Sequence, residues 1–320
     1  MFKKLTIARS AVILALVVVM LGAYTRLKDA GLGCPDWPGC FGKMIVPSTG
    51  AHDVTKAWIE MIHRYVAGSL GLLILYLSVI IRNTGRAFVV SLLTLILVGL
   101  QATLGMWTVT LGLYPVVVMG HLIGGMAILS CLWWIVILLS PGSGRQLYSN
   151  RENSGKLILC SLISFLLLCL QIMLGGWTSA TYSSLACSGF PTCNGQWWPE
   201  MNWAQAFNLT NTGILNSPGV HLDHAAHVTI QMAHRIGAFV TGIFLLLTGL
   251  LIINKTTLNS LRSLGFQLCF LVILQLIIGM CNVIFGLPLW VAVLHNCLAA
   301  LLLMTLISIL VNLNGKINRI

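Results

Sequence analysis

The sequence predicts an all-α integral membrane protein, with eight transmembrane helices arranged as a tandem repeat of two four-helix bundles. Its 320 residues are 58% hydrophobic and only 8% charged, whereas a soluble domain carries about 25% charged residues. Eight apolar stretches come near the roughly 20 residues that a helix needs to cross a bilayer. The motifs of the first half return in the same order in the second half, which indicates a duplication.

The spans follow one another with short connections, except for two long loops. The first span comes after a basic start and could be mistaken for a signal peptide, but no small-residue cleavage site follows it. It also has a counterpart later in the chain, so we interpret it as a span. The predicted spans are 9–27, 57–81, 87–109, 116–139, 157–180, 227–253, 264–286 and 289–312.

The basic residues predict the orientation of the chain. The net charge is +11, but most of it lies in short connections between spans, so it does not indicate nucleic-acid binding. Lys and Arg gather on the cytoplasmic side of membrane proteins, which here places both termini in the cytoplasm and both long loops on the outer, periplasmic face of the inner cell membrane. The residues on the cytoplasmic side are Lys3, Lys4, Arg9, Arg82, Arg86, Arg145, Arg151, Lys156, Lys255, Arg262, Lys316 and Arg319.

Each long loop contains two cysteines six residues apart. In the first loop, 28–56, prolines and glycines around Cys34 and Cys40 favour a tight turn that can bring the thiols together. An outward-facing loop lies in an oxidising compartment, so a disulfide is the natural interpretation. Free or metal-binding thiols are the alternative, although no grouping with zinc spacing supports it. Cys187 and Cys193 repeat the spacing in the second loop.

Ionisable residues inside apolar spans are costly and usually mark function. They recur here at matched positions of two parallel repeats, which we assign as domains 1–140 and 157–320 joined by a cytoplasmic linker, 141–156. The second copy keeps the histidines and the arginine but replaces the acid by an amide. The matched residues are Glu60, His63, Arg64 and His121 in the first half and Gln231, His234, Arg235 and His295 in the second.

The two histidines of each half suggest a haem site. Two imidazoles from facing helices of a bundle can ligate one haem iron, whereas two ligands are too few for a closed zinc or copper site. Arg64 and Arg235 are candidates for pairing with haem propionates, or they extend to the membrane interface. Small residues around His121 either leave space for a flat ligand or serve helix packing.

Taken together, these motifs resemble the haem A synthase family, membrane enzymes that convert haem O to haem A for cytochrome oxidase. The resemblance covers all eight spans. It rests on residues 27–40, Leu-Lys-Asp-Ala-Gly-Leu-Gly-Cys-Pro-Asp-Trp-Pro-Gly-Cys, on Glu60-x-x-His63-Arg64, and on the spans that carry His121, His234 with Arg235, and His295.

The resemblance implies a role for each half. His63 and His121 would flank the substrate haem O, and His234 and His295 would ligate a permanent haem b. Glu60 matches the catalytic glutamate of a reaction that oxidises a ring methyl to an alcohol and then to a formyl group. The resemblance also implies disulfides Cys34–Cys40 and Cys187–Cys193, the first with a part in the reaction or its electron supply.

The residues themselves agree with this division. Oxidation of a methyl group needs a group that handles protons or stabilises charge, and Glu60 is the ionisable one of the matched pair, because Gln231 is neutral. We expect haem O as a partner, with a haem O synthase as one candidate source, besides an unidentified electron donor and the lipid bilayer. A homo-oligomer is left open.

Other functions share part of the pattern. A di-haem electron carrier needs the four histidines but neither a one-sided acid nor the cysteine pairs. A transporter would place polar groups near the midplane, and a thiol–disulfide exchange enzyme leaves the histidines unexplained. His221, His224 and His227 precede the sixth span and are either metal or electron-entry residues or, more simply, interfacial ones.

Overall fold

The computed structural model describes residues 2–46, 53–141, 151–209 and 222–313, without the side chains of 151–154. Within these ranges the regular structure is helical, apart from two isolated bridges in the cysteine loops. Eight of the helices are long and apolar enough to cross a membrane. The predicted class, an all-α multi-pass membrane protein with eight spans, is therefore confirmed.

The helices lie close to the predicted spans. A short ninth helix, which the sequence analysis did not predict, lies in the second long loop. In chain order the helices are α1 Phe2–Leu27, α2 Val54–Ile80, α3 Arg86–Thr110, α4 Pro115–Leu139, α5 Arg151–Ala180, α6 Trp203–Ala206, α7 His224–Lys255, α8 Asn259–Ile284 and α9 Leu289–Leu313.

Local sequence explains where several helices begin. Asp53 caps α2 by accepting a hydrogen bond from the Lys56 amide at 3.0 Å, and Asp223 caps α7 in the same way. Pro115 opens α4 at the position where proline costs no hydrogen bond. α1 begins seven residues before its predicted span, because the basic residues of the N-terminal turn are good helix formers.

The packing of the helices gives each half a closed ring of neighbours. α1 contacts α2 and α4, with α3 between those two, and α5 contacts α7 and α9, with α8 between those two. α4 and α9 meet at the centre, where Trp133 Nε1 donates to Ser308 Oγ at 2.8 Å. Two adjoining four-helix bundles would have these neighbours, and the tandem arrangement stays a prediction of the sequence.

The boundary between the two halves is only partly described. Residues 142–150 of the predicted linker lie outside the described residues, as do Arg145, Lys316, Arg319 and His221. α5 already begins at Arg151, within the predicted linker 141–156, so the helix extends six residues beyond its apolar stretch. The domain bounds 1–140 and 157–320 stay predictions.

Candidate functional site

The two histidines of the first half lie on helices that face each other across the ring, α2 and α4. His63 is in the first half of α2 and His121 in the first half of α4. Each imidazole packs against a glycine of another helix. A Cβ added at Gly22 of α1 would lie 3.2 Å from His63 Cε1, and one at Gly105 of α3 would lie 3.2 Å from His121 Cε1.

The second half repeats this geometry. His234 is in the first half of α7 and His295 in the first half of α9. A Cβ added at Gly175 of α5 would lie 3.1 Å from His234 Cε1, and one at Gly279 of α8 would lie 3.1 Å from His295 Cε1. Each of the four imidazoles therefore packs against a glycine so closely that an added Cβ would press on its Cε1 atom.

These histidines fit axial ligation of a haem iron. The Nδ1 atoms of His63, His121 and His295 are buried without a hydrogen-bond partner among the described residues. Buried polar atoms are usually paired, so recurrence of this state at matched positions argues against a merely structural role. Two imidazoles on different helices of one ring are the ligand set that a haem takes in a helical bundle.

Glu60 connects the histidine helix to the first cysteine loop. Its side chain is buried, with 4% of the residue exposed. One carboxylate oxygen pairs with Arg64, and Oε2 accepts a hydrogen bond from the Cys34 amide at 2.9 Å. Gln231, at the matching position of α7, is equally buried, but within the described part of the chain it makes no such bond to Cys187.

Both arginines hold the cysteine loops. Arg64 Nη1 donates to the carbonyl oxygens of Asp36 and Gly39 at 2.9 and 2.6 Å. Arg235 does the same in the second loop, with bonds of 3.1 to 3.2 Å to the carbonyl oxygens of Thr192, Cys187 and Gly189. Their pairing with haem propionates stays a prediction, and the loop contacts are what the structure adds.

Both cysteine pairs are disulfide-bonded, Cys34 with Cys40 and Cys187 with Cys193. The four residues are buried, because each loop folds down onto its histidine helix. The predicted disulfides are confirmed, and the alternative of free thiols is wrong. Among the residues that the structure describes, no three His, Cys, Asp or Glu side chains form a metal-binding group.

Of the three histidines before the sixth span, the structure describes His224 and His227. His221 lies outside the described ranges, and His224 is exposed at the start of α7. His227 Nδ1 shares a hydrogen bond of 2.9 Å with Ser183 Oγ, which fixes the end of α5 to the start of α7. No structural observation assigns them an electron-entry role.

The structure adds residues that sequence reasoning did not place. Gln101, Gln171 and Gln275 each contact one of the histidines, although only the recurrence of the Gln101 stretch around Gln275 was visible in the sequence. Asp36 was a loop residue without a role, and its carboxylate accepts hydrogen bonds from the Phe41 and Gly42 amides at 2.6 and 2.7 Å. Only the folded helices and loop reveal these contacts.

The fold and the site together define a multi-pass helical membrane protein with a duplicated pair of partly buried histidines. A family profile described as "Cytochrome oxidase assembly protein" matches residues 6–307. A protein of Shewanella oneidensis named "Heme A synthase" is 42% identical over 315 residues, which cover 94% of each chain.

More distant relatives carry the same name. "Heme A synthase" of Neorickettsia sennetsu is 24% identical over 93% of this chain and 95% of its own. That of Halalkalibacterium halodurans is 26% identical over 93% of each. The chain belongs to the haem A synthase family.

Proposed function

We propose that this protein is a haem A synthase, which oxidises one ring methyl of haem O through an alcohol to the formyl group of haem A for cytochrome oxidase. The family membership supports the substrate class. The observation that carries the proposal is the asymmetry of the duplicated site, in which two similar histidine pairs are accompanied by a single carboxylate, Glu60.

Each half is assigned a different haem. His63 and His121 hold haem O as substrate, and His234 and His295 hold haem b as the resident cofactor. When bound, haem b supplies one-electron transfer. The neutral amide of Gln231 suits a site that keeps its prosthetic group unchanged, because no charged side chain lies at that position.

Glu60 is the proton-handling group of the substrate half. It lies three residues before His63, on the same face of α2. Arg64 and the Cys34 amide hold its carboxylate in place, so the group needs little reorganisation when charge develops nearby. Oxidation of a methyl group releases protons, and a carboxylate at this position can accept them.

The disulfide Cys34–Cys40 lies one hydrogen bond from this carboxylate, which supports a part for the first loop in the reaction or its electron supply. We place the protein in the inner cell membrane, and the basic residues support an orientation with this loop on the outer face. The electron donor is a separate partner, and haem O comes from a haem O synthase or the surrounding bilayer.

Replacement of the carboxylate tests the proposal. We expect Glu60→Gln to retain both haems and to form no haem A, because the amide preserves size and an acceptor for Cys34 but cannot take up a proton. Mass spectrometry of porphyrins extracted from the purified protein measures the product. Glu200→Gln makes the same chemical change at an exposed loop residue and serves as control. Normal conversion by Glu60→Gln would refute the role of Glu60.

A di-haem electron carrier is the second candidate, and the near-identical glycine contacts of all four histidines favour it. A carrier would hold two equivalent, permanent haems and form no haem A. The same porphyrin extraction separates the candidates, since a carrier yields one haem type and a synthase yields haem b together with haem O or haem A.

A further inference from the structure

The helix that supports each histidine carries a second matched position, four residues before the supporting glycine. One helical turn separates the two positions, so they share a face. Three of the four positions hold glutamine and the fourth holds valine. The pairs are Gln101 with Gly105, Gln171 with Gly175, Gln275 with Gly279, and Val18 with Gly22.

The glutamines bind the histidine residues that they face. Gln101 Nε2 donates to the His121 carbonyl at 2.6 Å. Gln171 Nε2 lies 2.9 Å from His234 Nδ1 and 3.0 Å from the His234 carbonyl. Gln275 Nε2 lies 3.3 Å from His295 Nε2.

For two of these contacts, a glycine on the histidine helix leaves room for the glutamine side chain. Gly124 and Gly237 each lie three residues after a histidine, and a Cβ at either position would collide with the Oε1 atom of the facing glutamine, Gln101 or Gln171. These two Oε1 atoms are buried without a partner among the described residues, and so is that of Gln275.

His63 is the exception. Its supporting helix presents Val18, which packs against the core and offers no hydrogen bond. Three residues after the histidine, α2 carries Val66 and α9 carries Leu298, whereas α4 and α7 carry glycine. His63 Nδ1 is buried without a partner in the described part of the chain, but so are the Nδ1 atoms of His121 and His295. The missing glutamine contact is therefore what distinguishes His63. Groups that hydrogen-bond a ligating histidine fix its ring and strengthen its bond to the metal, and no such group faces this ring from the described residues.

We propose that Val18 makes His63 the displaceable ligand of the substrate haem, while the glutamines are positioning residues that retain the other ligands. The inference rests on the proposed function. The second half then holds its haem between two glutamine-supported histidines, His234 and His295. The first half holds its haem by one supported ligand, His121, and releases the His63 side, so that substrate enters and product leaves.

Two opposite substitutions test this. Val18→Gln supplies the missing amide, and Gln171→Leu removes one from the resident site. Purified protein in detergent is mixed with excess apomyoglobin, and the haems remaining on the protein are separated by chromatography. Loss of such outer partners changes metal affinity about 10–100-fold, so we expect haem O to leave Val18→Gln about tenfold more slowly and haem b to leave Gln171→Leu about tenfold faster.

Val18→Leu is the matched control, because it adds bulk without an amide, and we expect it to release haem O at the native rate. Haem b content reports whether Val18→Gln is folded. Electron paramagnetic resonance gives an independent signature, since loss of the His63 bond produces a high-spin signal from the first-half haem that Val18→Gln should diminish.

The proposal is overturned if Val18→Gln and Val18→Leu release haem O at the same rate, or if Gln171→Leu holds haem b as the native protein does. Failure of the proposed function looks different. In that case porphyrin extraction from the native protein would yield one haem type and no haem A, whatever the release rates of the variants.

Discussion

At the scale of single residues, four glycines determine how closely the histidines approach their supporting helices. A Cβ added at any of these glycines would lie 3.1 to 3.2 Å from an imidazole Cε1, so the imidazole would have to move by a few tenths of an ångström. A tight core has little freedom to relax around an added methyl group. The glycines therefore fix the positions of the imidazoles as directly as the hydrogen bonds do.

Gly105→Ala tests this restriction on one helix. We expect the added methyl to displace the His121 ring and to lower the haem content of the first half several-fold, with a stability cost of about 1–3 kcal/mol for overpacking. Gly99→Ala on the same helix is the control, because its Cβ meets open space. Pyridine haemochrome spectra measure the haem content. Equal haem in both variants would contradict the restriction.

The sequence was sufficient to identify the matched histidines and Glu60, because ionisable residues in apolar spans are conspicuous. It was not sufficient for Arg64, which was interpreted as a propionate partner or an interfacial residue. In the structure, its guanidinium donates to carbonyl oxygens of the first cysteine loop. Which acceptor an arginine reaches depends on how the loop folds back, and spacing in the sequence carries no information on that.

At the scale of structural elements, each cysteine loop is held against its histidine helix by one arginine. Hydrogen bonds to charged groups contribute about 1.5–3 kcal/mol each. Arg64 and Arg235 each make several such bonds to loop carbonyls. Both disulfides lie within these loops and are buried against the helices. A reductant therefore reaches a disulfide only after its loop opens.

We expect Arg64→Ala to increase the rate at which dithiothreitol reduces Cys34–Cys40 at least tenfold, since about 1.4 kcal/mol of lost opening energy corresponds to a factor of ten. Arg235→Ala should do the same for Cys187–Cys193. Trapping of the new thiols followed by peptide mass spectrometry measures both rates. Each variant is the control for the other, and acceleration of both disulfides by one substitution would contradict separate clamps.

The span boundaries were predicted within a few residues where polar residues mark them, as at Asp53 and Pro115. They were less accurate at the N-terminus, where α1 begins at Phe2, and at α5, which begins at Arg151. Hydropathy detects the apolar part of a helix, whereas lysine, arginine and glutamate continue the helix beyond the hydrocarbon region without an apolar signal.

At the scale of the whole molecule, the two halves are joined at the cysteine end by a polar junction. Arg26, at the end of α1, donates to the Ser179 carbonyl at 2.7 Å, and its guanidinium lies 3.9 Å from the centre of the Tyr182 ring. Tyr182 in turn donates to Asp29 at 2.9 Å. Burial raises the pKa of the Tyr182 phenol, so the phenol stays protonated and keeps this bond at neutral pH.

Tyr182→Phe removes the hydroxyl and keeps the ring beneath Arg26. Because the bond is partly exposed, we expect a loss of under about 1 kcal/mol, seen as a slightly lower midpoint of thermal unfolding. A raised pKa in the folded state means that the bond's contribution is present at neutral pH and is lost as pH rises through that pKa. The difference between variant and native protein should therefore vanish at strongly alkaline pH, and a constant difference would contradict it.

The predicted orientation of the spans in the membrane concerns the molecule as a whole and can be tested by fusing reporter proteins to its loops. Alkaline phosphatase attached after residue 200 should be active, because the second long loop is predicted to face the periplasm, and attachment after residue 84 should give an inactive enzyme. Green fluorescent protein at the same two positions should give the opposite pattern. Activity at residue 84 would reverse the assigned sidedness.

The bond from the Cys34 amide to Glu60 has a consequence for how the first half responds to change. The proposed proton acceptor and the backbone of a disulfide-bonded residue are mechanically joined, so a shift of the loop alters the surroundings of the acid. Opening of the disulfide, docking of a protein on the loop or removal of Arg64 would each be transmitted to the same carboxylate. Within the described residues Gln231 lacks that attachment to Cys187, so in the second half only Arg235 and apolar packing connect the histidine helix to its loop.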